Sequence, residues 1–100
     1  MIIQRRIFQA KIGQAGAVVA KLKEGENLFN AAGLWPKGRI YSDYQSGATD
    51  RVAWEVEVEN LGAFEEFMGS IGAEASFAPW FGELSTLIQG ATVEFWTIES

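Results

Sequence analysis

The chain contains no cysteine and no histidine. It therefore forms no disulfide, offers no thiolate nucleophile and lacks the imidazole that most zinc sites, general bases and haem ligands require. Basic residues are the minority, 8 Lys and Arg against 13 Asp and Glu, for a net charge of -5. A nucleic-acid partner would call for a basic face, so none is expected. No uncharged run is long enough to span a bilayer, and no membrane association is expected. At the N-terminus the charges of Arg5 and Arg6 follow the apolar Ile2-Ile3. A secretory signal has the reverse order, and a cytoplasmic protein is the expectation.

What remains is the composition of one ordinary globular domain. Of 100 residues, 48% are hydrophobic, 21% are charged, 11 are glycine and 2 are proline, which excludes disorder and collagen. Ile2 to Ile12 reads as a strand with polar and apolar residues on both alternate sets, as in a central strand contacted on two faces. From Ala15 the period lengthens: Val18, Val19, Leu22, Phe29 and Ala32 mark an amphipathic helix capped by Gly33. Gly25 falls mid-helix on or near the apolar stripe, which suggests close approach to a sheet or a kink. Leu34-Trp35-Pro36 blocks continuation.

Gly38 to Gln45 and Arg51 to Glu59 read as a hairpin around the turn formers Ser46 to Asp50. In the second of these strands Val52, Trp54, Val56 and Val58 alternate with Ala53, Glu55, Glu57 and Glu59, and Trp54 is expected to be nearly fully buried. Asn60 is placed to cap a helix carrying Leu61, Phe64, Phe67, Met68 and Ile71, which Gly72 stops. Pro79 suits the first turn of a shorter helix with Trp80, Phe81, Leu84, Leu87 and Ile88, ended by Gly90. Ala91 to Ile98 is the last strand.

This order predicts an α+β fold: a single ferredoxin-like βαββαβ sandwich with a four-stranded antiparallel sheet, helices on one face and the second helix split. The other face is expected to carry Arg6, Phe8, Arg39, Tyr41, Glu55, Glu57, Glu94 and Trp96. An open face with aromatics among balanced charges is an interaction surface. Its simplest cover is a second copy of the chain, so a homodimer is expected. Buried ion pairs there would add little stability but set register.

Arg6 with Glu55 and Glu57 is the leading constellation, because the first and third strands are neighbours in this order. It reads either as a polar lumen in which Arg6 anchors a small anionic or carbonyl-bearing molecule, or as a cross-strand ion-pair ladder. Arg39, Tyr41 and Trp96 complete the candidate ligand-binding set. Glutamates two residues apart on a strand stand about 7 Å from one another, and with arginines nearby they suit salt bridges better than a metal. No metal and no cofactor are expected. No motif marks a catalytic residue. Trp54, Phe64 and Phe67 fit core positions, whereas Trp35, Trp80, Phe81 and Trp96 are left open between the core and the lining of a hydrophobic ligand cavity.

Four stretches resemble a known group. Ile3 to Gly13 is similar to an arginine strand ending in Lys-x-Gly. Asp50 to Leu61 resembles a third strand with its helix entry, Phe64-Glu65-Glu66-Phe67 the helix that follows, and Pro79-Trp80-Phe81 an aromatic short helix before a last strand. Together they resemble the dimeric α/β barrel superfamily, and within it the NIPSNAP-like and antibiotic-biosynthesis-monooxygenase-like families. The resemblance implies two subunits closing their sheets into one barrel. It also implies a small-molecule ligand or a structural role, with cofactor-independent oxygenation of an aromatic substrate as the alternative. The haem-degrading relatives use an axial histidine, which this chain lacks.

Overall fold

The computed structural model describes residues 1–33, 38–43 and 49–99. The elements are β1 (Ile2–Ala10), α1 (Ala15–Ala31), β2 (Gly38–Ser42), β3 (Arg51–Val58), α2 (Leu61–Ala73), α3 (Phe77–Ser85) and β4 (Ile88–Thr97). The strands form one antiparallel sheet in the order β2-β3-β1-β4, so β1 is central as its mixed faces predict. This is the ferredoxin-like α+β sandwich, with the second helical region divided into α2 and α3.

All three helices pack on the sheet face that carries Phe8, Ala10 and Val52. Against these lie Val18, Leu22 and Phe29 of α1, Ile71 of α2, and Trp80 and Leu84 of α3. A smaller cluster joins Val56, Val58 and Phe64. Asn60 caps α2 as its position predicts: its side-chain oxygen accepts the Ala63 N–H at 2.8 Å. Gly33 follows α1 at φ +73°, where a residue with a Cβ would be strained, and its N–H reaches the Asn30 carbonyl at 3.0 Å. Gly25 does mark a close approach, but to a side chain rather than a strand. The Trp80 indole lies flat against it and donates from Nε1 to the Lys21 carbonyl at 2.7 Å.

Several expectations need correction. Antiparallel register places Arg6 opposite Trp54 and Phe8 opposite Val52, so both face the helices and not the open side. Phe8 is core. Trp54 is only partly buried, because its indole N–H reaches out to Glu26 Oε2 at 3.2 Å. The second helical piece ends at Ser85, so Leu87 lies in a turn and Ile88 begins β4. Gly90 therefore sits inside β4 opposite Gln9, beside a register shift between Gln9 and Ala10. The helix α2 runs through Gly72 to Ala73. The expectations for Trp35, Pro36, Tyr44 and most of the Ser46 to Asp50 turn lie outside the described residues.

Candidate functional site

The open face of the sheet is built from the odd residues of β1, β2 and β3 and the even residues of β4. On it a polar ladder crosses all four strands. Tyr41 of β2 donates its hydroxyl to Glu55 Oε1 at 3.1 Å. Arg5 of β1 grips Glu55 Oε2 with Nε at 2.9 Å and Nη2 at 2.8 Å, and its Nη1 lies 3.8 Å from Glu94 Oε1 on β4. The Trp96 indole donates to the same Glu94 oxygen at 2.9 Å. The hydrogen bond that Arg5 donates to Glu55 raises the guanidinium pKa above its ordinary value, against the opposing effect of burial. Glu55 is 9% exposed even in the single chain.

Of the predicted residues, Tyr41, Glu55 and Trp96 thus join one network. Arg39 is exposed and in register with Glu55, and with Glu57 it borders a recess of about 140 Å³. A shallow depression of about 480 Å³ lies over Arg5, Tyr41 and the Asp43–Arg51 pair, whose Oδ2–Nε distance is 2.8 Å. Arg5, Asp43 and Arg51 were not singled out from the sequence. The partner of Glu55 is Arg5, and Arg6 meets neither Glu55 nor Glu57.

Arg6 stands instead on the covered side, between Trp54 of β3 and Val93 of β4. There it borders a cavity of about 210 Å³ between sheet and helices. The deep wall is Phe8, Phe29, Trp80 and Leu84, each at most 3% exposed. Phe29 and Trp80 meet edge to face at 5.3 Å, and Trp54 packs on Trp80 at 5.7 Å. Exposed lining residues from α2, α3 and β4, namely Met68, Phe81 and Ala91, mark where it opens. Trp80, in the deep wall, and Phe81, at the mouth, both line this cavity.

Two polar groups break the apolar wall. Burial alone pulls the Arg6 guanidinium below its ordinary value, and it stays charged at neutral pH. Among the described residues no carboxylate or hydrogen-bond partner meets it. Gln4, two residues earlier on the same strand face, is 5% exposed and likewise has no side-chain partner there. Gln4 borders the same cavity as Arg6. Gln4, like Arg5, Asp43 and Arg51, was not singled out from the sequence, since a lone glutamine on a mixed strand carries no signal. Among the described residues no cluster of acidic side chains is arranged to hold a metal ion, and no helix is long and apolar enough to cross a membrane.

No family model matches the sequence, and no curated protein matches it. Solved structures do resemble it in fold. An uncharacterized NIPSNAP domain protein from Burkholderia xenovorans superposes with a TM-score of 0.87 at 10% identity, over 100% of this chain and 96% of that one. A NIPSNAP family protein from Agrobacterium tumefaciens gives 0.82 at 17% identity, over 96% and 90%. SnoaB, a cofactor-independent oxygenase from Streptomyces nogalater, gives 0.71 at 12% identity, over 99% and 93%. The architecture of this chain is the one shared by NIPSNAP proteins and antibiotic-biosynthesis monooxygenases.

Proposed function

We propose that this chain is a homodimeric small-molecule-binding protein. Two copies cover each other's open sheet face, and each copy takes a ligand in the cavity under its helices. The observation that carries this is the cavity itself, about 210 Å³ with an aromatic wall and two polar groups. An apolar pocket with few convergent polar groups is the usual form of a ligand site. An engineered apolar cavity of about 150 Å³ accepts benzene, so this one suits a substituted single ring or a short acyl chain.

Binding is favoured over catalysis by what lines the space. Arg6 is the one titratable side chain among its described lining residues, and a guanidinium gives up no proton at neutral pH. Nothing there can act as a general base. Cofactor-independent oxygenation, suggested by the likeness to SnoaB, is the second reading.

The dimer rests on the open face. Tyr41 and Trp96 are exposed on it at 41% and 55%, beside a ladder in which Arg5 already contacts both Glu55 and Glu94 within one chain.

The cavity is tested by titrating the protein with one-ring aromatics and six-carbon chains while following fluorescence of Trp54 and Trp80, with melting temperature as a second readout. A ligand at one hundred times its Kd adds about 2.7 kcal/mol and raises the melting temperature by several degrees. No response to any compound, in either readout, overturns the reading.

A further inference from the structure

We infer that the ligand of the cavity is a small amphiphilic acid, an aryl or alkyl carboxylate whose head is held by Arg6 and Gln4 and whose apolar part lies against Phe29, Trp80 and Leu84. The inference rests on the reading that this cavity binds a small molecule, and it names the class. It starts from an imbalance between the two faces of β1. Arg5 and Arg6 are adjacent, so they point to opposite sides of the sheet. Arg5 has its partner in Glu55, whose Oε2 it meets through Nε and Nη2. Arg6 has none among the described residues, although it is the more thoroughly desolvated of the two.

A partly buried cation without a counter-ion is unfavourable. A carboxylate removes that deficit. Its two oxygens accept from the guanidinium fork in the bidentate geometry that arginine presents. Gln4 and Arg6 are two residues apart on one strand face, about 7 Å, within reach of a single head group. The Gln4 amide adds one more N–H donor.

The same arrangement rejects other classes. A cation would stand beside a guanidinium. A neutral chain would fill the apolar wall but bring no counter-charge to Arg6. A large anion such as a nucleotide exceeds about 210 Å³. The tail follows from the depth of the wall: Phe8, Phe29, Trp80 and Leu84 are closed to solvent, whereas the mouth lies at Met68 and Phe81.

The test compares hexanoate with hexanamide, and phenylacetate with phenylacetamide, on the full chain at pH 7 by calorimetric titration. Each pair has the same shape and differs in charge. The acids should bind at least tenfold tighter, the increment expected of a hydrogen bond to a charged group. Arg6→Met should remove that advantage and leave the amides within about twofold, while Arg5→Met should leave the acids bound. Equal binding of acid and amide to the wild-type chain overturns the acid assignment and leaves the cavity reading standing. Loss of acid binding in Arg5→Met with retention in Arg6→Met places the anion on the open face and overturns it as well. Failure of acids and amides alike overturns both readings. The wild-type comparison decides the matter without any variant.

Discussion

A single methyl group at Gly25 should destabilise this protein, although the same change in an ordinary helix would stabilise it. A Cβ built on Gly25 would stand 2.5 Å from Cζ2, 2.6 Å from Cε2 and 2.9 Å from Nε1 of Trp80. Something must move, and the indole has little room. It is 3% exposed, edge-on to Phe29, against Phe77 and Trp54, and tied to the Lys21 carbonyl at 2.7 Å. Overpacking of this kind costs about 1–3 kcal/mol, and the upper end applies where the neighbour is pinned on several sides. Replacing a mid-helix glycine by alanine returns about 1 kcal/mol. The balance for Gly25→Ala is a loss of about 2 kcal/mol. In urea, with a slope of about 1.5 kcal/mol/M, the midpoint should fall by about 1.3 M, measured by far-ultraviolet circular dichroism at fixed protein concentration. Adding Trp80→Phe shrinks the ring that the methyl meets, so the double variant should lose less than the sum of the two single changes. A Gly25→Ala midpoint equal to or above that of the parent would refute the close approach.

Light scattering at micromolar concentration should give about twice the chain mass of 11.0 kDa, in low and high salt alike, since aromatic contacts would carry the affinity; a monomer mass at both salts refutes the dimer. Leu22→Ala empties a fully enclosed position on α1 and should cost about 3–4 kcal/mol by denaturant titration, with a loss under 1 kcal/mol contradicting the core assignment. Lys21 holds Glu24 at 2.9 Å and Glu83 at 3.0 Å, and these bonds raise its pKa above the ordinary lysine value. A base raised on folding stabilises below its unfolded value, about 10.4, and loses that contribution as pH climbs through the folded one. The stability difference between the parent and Lys21→Met should therefore be constant to about pH 10 and shrink above it, and a difference that stays constant beyond pH 11 would contradict the bridge.

Most of the fold is legible because its signals are local. The alternation from Val52 to Val58, the Asn60 cap and the glycine after α1 each act through a few neighbouring residues, and each is found where the sequence puts it. The boundary between α3 and β4 fails for the same reason. Leu87 and Ile88 continue an apolar stripe at helical spacing and also suit the start of a strand. What decides is long-range: Lys11 donates its N–H to the Leu87 carbonyl at 2.9 Å and Ile88 pairs with Ala10, so the sheet claims both residues. Gly90 looks like a helix stop but lies opposite Gln9 where the ladder shifts register. The loss of full burial at Trp54 is likewise decided by Glu26, on another element.

The candidate site turns on the parity of β1, which no local pattern fixes. Its two alternate sets each hold one arginine, and the even set of Gln4, Arg6, Phe8 and Ala10 is scarcely more apolar than the odd set of Ile3, Arg5, Ile7 and Gln9. Slipping the register by one residue would exchange the sets between faces. The core opposes the slip. Phe8 and Ala10 fill the main core, and moving them to the open face would empty it. Arg5 places Nε and Nη2 on Glu55, a nearly buried carboxylate that also accepts from Tyr41. A slip by one residue would bring the adjacent Arg6 to Glu55 in place of Arg5, so this ion pair by itself does not choose between the two registers. The core thus fixes the parity of β1, with a consequence for both of its arginines. With Arg5 on the open face beside Glu55, its neighbour must enter the space beneath the helices, where among the described residues no acid awaits it.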